Sequence, residues 1–128
     1  MQLVDTDNAP APRGHYAQGV THDGFLFVSA QLPIDPMTGK HEKGSIDKQT
    51  TQVLKNVLAI VEAAGGDKST VVKITVYVTD ISLWAKVNAV YAEFFGDFRP
   101  ARAVVPVKDL HHGVLLEMEA IAVVPMSK

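Results

Sequence analysis

Between residues 47 and 64 the apolar side chains Val53, Leu54, Val57, Ile60, Val61 and Ala64 recur at three- and four-residue spacing, and Gly65-Gly66 follows as a stop. That spacing puts them on one stripe of an amphipathic helix, which holds only when the stripe lies against another apolar surface. The next segment supplies one. Val72, Ile74, Val76 and Val78 alternate with Lys73, Thr75, Tyr77 and Thr79, the period of two expected of a strand with one buried face. A one-striped helix beside a one-faced strand predicts a helix-on-sheet layer.

The flanking sequence extends the same plan. Residues 16–20 and 25–31 read as the two strands of a hairpin around the Asp23-Gly24 turn signal. Ahead of them, Pro10 and Pro12 predict an extended lead-in over residues 8–14 that contributes little to the core. Pro33, Pro36 and Gly39 punctuate a loop that runs to about residue 44. A second helix, capped by Asp80 or Ser82, carries Leu83, Val87, Val90, Tyr91 and Phe94 on its stripe and stops at Gly96. Strands follow at residues 102–107 and 114–124, with Pro106 marking a sheet edge or a bulge. The predicted order is β-β-α-β-α-β-β. This is an α+β fold, a single sheet with two helices packed on one face, in one domain covering residues 1–128. The opposite face still carries Val, Ile and Leu, an apolar patch larger than soluble monomers usually expose, and it predicts self-association.

Composition removes several functional classes. A net charge of -2 with no run of Lys or Arg gives no attraction to nucleic acid or to an anionic membrane, so neither is an expected partner. The absence of cysteine excludes a disulfide framework, a thiol nucleophile and a thiolate metal site. The first residues lack both a basic patch and an apolar core of signal-peptide type, and nowhere do about 20 consecutive apolar residues occur. The expected location is the cytoplasm.

Chemistry must then come from oxygen, nitrogen and charge. Arg102 opens an otherwise apolar strand, where a guanidinium either snorkels to solvent or meets an anion, its planar fork fitting a carboxylate. Glu117 and Glu119 stand two apart in a strong strand and share a face. Either is a structural partner of a cation, or a desolvated acid with a pKa raised toward the general acid/base range. The adjacent His111 and His112 read as a solvated turn pair whose rings point apart on an extended segment, so no metal site is expected. His15, His22 and His41 are scattered in loops. Ser29 lacks the Gly-x-Ser-x-Gly elbow of a serine hydrolase, and Trp84, Phe94 and Phe95 belong with the helix stripe or its margin.

Several stretches together resemble one known family. They are residues 8–12 (NAPAP) with 16–19 (YAQG), 28–31 (VSAQ) followed by Pro33, 56–65 (NVLAIVEAAG), 87–91 (VNAVY) with Phe94-Phe95, 99–102 (RPAR), and 117–122 (EMEAIA). In this order, over nearly the whole chain, they are similar to the Rid or YjgF group, the reactive-intermediate deaminases that act on 2-iminobutanoate and 2-iminopropanoate. The resemblance implies a chorismate-mutase-like fold, a homotrimer with three intersubunit clefts, and hydrolysis of an enamine or imine of the 2-aminoacrylate or 2-iminobutanoate type to a 2-keto acid and ammonia, with no cofactor and no metal. It further implies that Arg102 binds the carboxylate of a small imino or keto acid, that Glu117 positions or activates water, and that Tyr16 and Ser29 line the cleft. Ala30 stands where many members have glycine, Val104 where the best-known deaminases carry cysteine, and Arg13-Gly14-His15 where they carry an apolar-Gly-Pro run; residues 96–99 are shorter than in those proteins. The alternative is a trimeric sensor that binds a small carboxylate or keto acid through Arg102 and leaves Glu117 idle.

Overall fold

A computed structural model describes residues 1–126 of the chain. In chain order the elements are β1 (Gln2–Val4), β2 (Gly19–His22), β3 (Phe25–Gln31), α1 (Ile46–Ala63), β4 (Val71–Val78), α2 (Trp84–Phe95), β5 (Ala101–Pro106) and β6 (Leu116–Val123). The strands form one mixed sheet in the order β1-β2-β3-β6-β4-β5, antiparallel except for the parallel pair β4–β5. Ile74, Val76 and Val78 of β4 and Leu116, Met118, Ala120 and Ala122 of β6 bury one face of the sheet in a common core with Val53, Leu54, Val57, Ile60 and Val61 of α1 and Val87, Tyr91 and Phe95 of α2. Fully burying five aliphatic side chains of α1 contributes roughly 7–15 kcal/mol before entropy is counted, whereas a helix of this length is marginal alone. Packing, rather than propensity, holds α1 in place. Ser45 caps it by accepting a hydrogen bond from Lys48 N at 3.3 Å.

The α+β architecture expected from periodicity is the one observed, with four local differences besides the cap of α2, which has no side-chain cap because Asp80 accepts from Ser82 N in a 3₁₀ turn ahead of it. First, β1 adds a strand at the sheet edge, pairing Gln2 with Thr21 and Val4 with Gly19; three residues are too few to show a period. Second, β2 begins at Gly19 and not at residue 16. Asp23 and Gly24 both have positive φ, 52° and 81°, as a two-residue primed turn requires, and His22 pairs with Phe25; the ladder ends at Gly19 opposite Val28, where β3 becomes irregular, and Tyr16 lies outside it. Third, Val72 does not join the buried face. A register shift between Val71 and Lys73 puts Val71 inward and turns Val72 out. Fourth, the lead-in is tied down: Ala9 is buried, and the buried Gln18 side chain accepts from Thr6 N at 2.7 Å and donates to Thr6 O at 2.9 Å and Pro10 O at 3.0 Å.

Two polar residues on the buried side of α1 position the loops. Asn56 Nδ2 donates to Leu32 O and Ile34 O at 3.0 and 2.9 Å, fixing the loop after β3. Gln49 accepts from Leu115 N at 2.8 Å, fixing the approach to β6. Pro106 lies on β5, an edge strand, where its missing N–H costs no ladder bond to a further strand. The sheet face away from the helices leaves Phe25, Phe27 and Val123 exposed, Phe27 by 47%. No helix among the described residues is long and apolar enough to cross a membrane.

Candidate functional site

Arg102 neither snorkels to solvent nor meets an acid among the described residues. The register pairs it with Ile74, so it lies on the helix-covered face at the sheet edge, half-buried against α2. One Nη donates to Asn88 Oδ1 at 2.9 Å, and the guanidinium carbon stands 4.8 Å from the Tyr91 ring centroid and 5.4 Å from that of Trp84. Both distances are cation–π contacts. Trp84, Asn88 and Tyr91 are spaced by four and three residues, one face of α2, and together they hold the guanidinium before any ligand arrives. Beside it lies a cavity of about 460 Å³ lined by Asn88, Tyr91, Phe95, Phe98, Arg99 and Arg102. Tyr91 is buried, and burial pushes its hydroxyl pKa up to about 12 despite the nearby Arg102 charge. Trp84, placed by sequence on the helix stripe or its margin, is 42% exposed at this edge, against the Arg102 guanidinium.

Glu117 and Glu119 do share a face, the one away from the helices, on an interior strand. Their environments separate them. The Glu119 carboxylate accepts a hydrogen bond from the Tyr77 hydroxyl, whose pKa is raised chiefly by that bond. Glu117 has no such partner among the described residues. It is half-buried, and burial, assisted by the Glu119 charge and opposed by His111, raises its pKa above the ordinary glutamate range. The carboxylate is therefore easier to protonate and a better base when ionised.

Next to Glu119, β3 carries an irregularity: Val28 pairs with Ala120 and Gln31 with Met118, three residues against two, so the extra residue falls at Ser29-Ala30. Ser29 Oγ donates to Ala17 O at 2.6 Å, and Ser29 N to Gln18 O at 2.9 Å. The serine thus stitches the lead-in to β3. The lead-in carries Tyr16, 49% exposed, into a cleft of about 50 Å³ whose walls include Arg13, Ala30, Gln31, His111 and His112.

His111 and His112 form the exposed turn pair expected from sequence, but their rings do not point apart. They sit in a 3₁₀ turn rather than an extended segment, with His112 at φ 61°, and the two ring centroids lie 4.6 Å apart. His112 also stacks on His41 at 4.2 Å. Among the described residues no three His, Asp or Glu side chains are grouped as a metal site would need.

The four residues carried over from sequence thus fall into two groups. Tyr16, Ser29 and Glu117 gather around β3 and β6, while Arg102 stands apart. Arg102 is level with Ile74 and Glu117 with Tyr77, and β4 lies between their strands. Two strand spacings and three residues of rise put their Cα atoms roughly 14 Å apart, with side chains on opposite faces of the sheet. One small imine does not span that gap. Asn88, Trp84 and Tyr91 were absent from the sequence-derived site; their four-and-three spacing was the signal.

A family profile described as Endoribonuclease L-PSP matches residues 6–124. A RutC family protein of Pyrococcus horikoshii is 50% identical over 121 residues, covering 94% of this chain and 96% of its own. Among solved structures, Escherichia coli TdcF with bound serine is similar at a TM-score of 0.93 and 38% identity, over 98% of this chain and 100% of that one. RidA of an Antarctic Psychrobacter gives 0.92 at 40% identity, over 97% and 100%.

Proposed function

The chain belongs to the endoribonuclease L-PSP family, the group that contains RutC, YjgF and Rid proteins, and from that premise we propose that it hydrolyses reactive imino acids to 2-keto acids and ammonia in a cleft completed by a second copy of the chain. The observation that carries this reading is Glu117: a half-buried carboxylate with a raised pKa, no hydrogen-bond partner among the described residues, and within reach of the charge of His111, which lines the Tyr16 cleft. Arg102, preset by Asn88 and two aromatic faces, is suited to a carboxylate anchor. Bound serine in TdcF, a small amino acid with a carboxylate, is in keeping with that chemistry.

An enamine first tautomerises to the imine, whose carbon is electrophilic. Glu117 takes a proton from water as the water oxygen bonds to that carbon; the resulting carbinolamine collapses to the ketone as nitrogen, protonated, leaves as ammonia. Tyr16 and Ser29 line the reacting end. Because Arg102 and Glu117 lie on opposite sheet faces, the pair is assembled between subunits. The exposed Phe25, Phe27 and Val123 give the sheet face that such an assembly buries, and the proposed assembly is a homotrimer. RNA cleavage, named in the family's description, finds no basic track in a chain of net charge -2.

The test generates 2-aminoacrylate or 2-iminobutanoate in situ and follows its disappearance. Glu117→Gln should slow turnover roughly 10²–10⁴-fold. Arg102→Ala should weaken substrate and transition state together, and Arg102→Lys should recover only part of the loss, since an ammonium lacks the fork. A second reading, a carboxylate-binding sensor, draws on the guanidinium being fully organised without any base beside it. Normal turnover by Glu117→Gln, with ligand binding abolished by Arg102→Ala, would select the sensor.

A further inference from the structure

The cleft beside Tyr16 has a charge pattern that hydrolysis of an imino acid with an uncharged side chain does not use. Arg13, His111 and His112 contribute to its walls, and no carboxylate does. Behind it, His41 stacks on His112, and its Nε2 is buried without a hydrogen-bond partner. The charged groups that act on His41 are His112, Arg13, Lys43 and His111, all of them basic; with burial as the larger cause, they pull its pKa below the ordinary histidine value. The carboxylates of the same loop are turned elsewhere, Asp35 accepting from Met37 N and Glu42 from Gly44 N, each at 2.8 Å. In a chain of net charge -2, three basic side chains thus line one small cleft with no acid among its walls, and His41 and Lys43 add to them from behind.

Two features fix this cluster in place. Arg13 spends one of the five N–H donors of a guanidinium on Gly39 O, at 2.5 Å, which orients the side chain and leaves the remaining donors for a ligand. His112 is held in the left-handed region at φ 61°, a placement unfavourable by about 1 kcal/mol for a residue with a Cβ, and this sets its ring between His111 and His41. The cleft adjoins the proposed base, since the His111 charge acts on Glu117. A volume of about 50 Å³ admits a group of a few heavy atoms.

We propose that this cleft is a subsite for a second carboxylate, carried on the substrate's side chain, so that the preferred imines are imino dicarboxylic acids formed by oxidation of acidic amino acids. The inference rests on the deaminase reading, with Arg102 holding the carboxylate next to the reacting carbon and Arg13, aided by imidazole N–H groups, holding the distal one. The hydrolysis is unchanged: water oxygen replaces nitrogen at the imine carbon, and ammonia leaves.

The experiment compares 2-iminosuccinate with 2-iminopropanoate, generated in situ by amino-acid oxidases from aspartate and alanine, and reads the ratio of the two kcat/KM values. The wild-type ratio should exceed one. Arg13→Ala should lower it about tenfold, the worth of a charge-assisted hydrogen bond, and Arg13→Glu should lower it further. A wild-type ratio below one, or a ratio that Arg13→Glu leaves unmoved, overturns the subsite while leaving the deaminase standing. If the wild-type chain turns over neither imine, the deaminase reading fails by itself and calorimetry with oxaloacetate and pyruvate decides the subsite. Tighter binding of oxaloacetate that Arg13→Ala abolishes supports it; equal binding of the two overturns it.

Discussion

Mixing two inactive variants should restore activity. Arg102 and Glu117 lie roughly 14 Å apart on opposite faces of one sheet, separated by β4 and by three residues along it. Neither side chain turns around a packed sheet, so the proposed hydrolysis requires Arg102 from one subunit and Glu117 from its neighbour. Arg102→Ala and Glu117→Gln each abolish most turnover when assembled alone. Refolded together in equal amounts, a cleft of a cyclic assembly draws a wild-type Arg102 with probability one half and a wild-type Glu117 with probability one half, so about a quarter of the clefts are complete. Imine disappearance, measured per subunit, should then reach about a quarter of the wild-type rate against a background about a hundredfold lower. A second mixture checks the arithmetic. Wild type combined equally with the double variant should retain about a quarter of full activity if the residues come from different chains, and about half if they come from one. Mixed single variants no more active than the average of their parents would refute the shared site.

Other outcomes follow from the same geometry. The acid limb of the pH–rate profile should lie above the ordinary glutamate value of about 4.3, because Glu117 works as a carboxylate and its raised pKa means that the base is lost sooner as pH falls; Glu119→Gln, which removes the neighbouring like charge, should move that limb down, and an unchanged limb would count against Glu117 as the base. Phe27→Glu puts a charge on the exposed apolar face and should give monomers by light scattering, where a persistent wild-type mass would refute burial of that face. Asn56→Leu strands the carbonyls of Leu32 and Ile34 and should lower stability in urea by about 2–4 kcal/mol; a loss below about 0.5 kcal/mol would show that water replaces those bonds. Gly24→Ala forces a Cβ into φ 81° and should cost about 1 kcal/mol in the same assay.

Much of this was legible in the chain because it is periodic. The stripe of α1, the alternation of β4 beyond its register shift, the Asp23-Gly24 turn, the edge position of Pro106 and the common face of Glu117 and Glu119 all depend on spacings of a few residues, and local backbone geometry sets those. β1 is not legible because three residues carry no period, and the outward turn of Val72 is not legible because nothing in a local pattern announces a one-residue register shift.

What only the tertiary structure decided is which surfaces meet. Trp84, Asn88 and Tyr91 share a helical face by spacing, but their use as a cradle for Arg102 depends on β5 lying parallel to β4 beneath α2. His41 and His112 are 71 positions apart, and their stacking required the loop after β3 to fold against the turn before β6. The sequence by itself named the arginine and the glutamate. That they stand on opposite faces was decided by the registers of β5 and β6 against β4, which pair Arg102 with the inward Ile74 and Glu117 with the outward Tyr77, long-range pairings that no local spacing encodes.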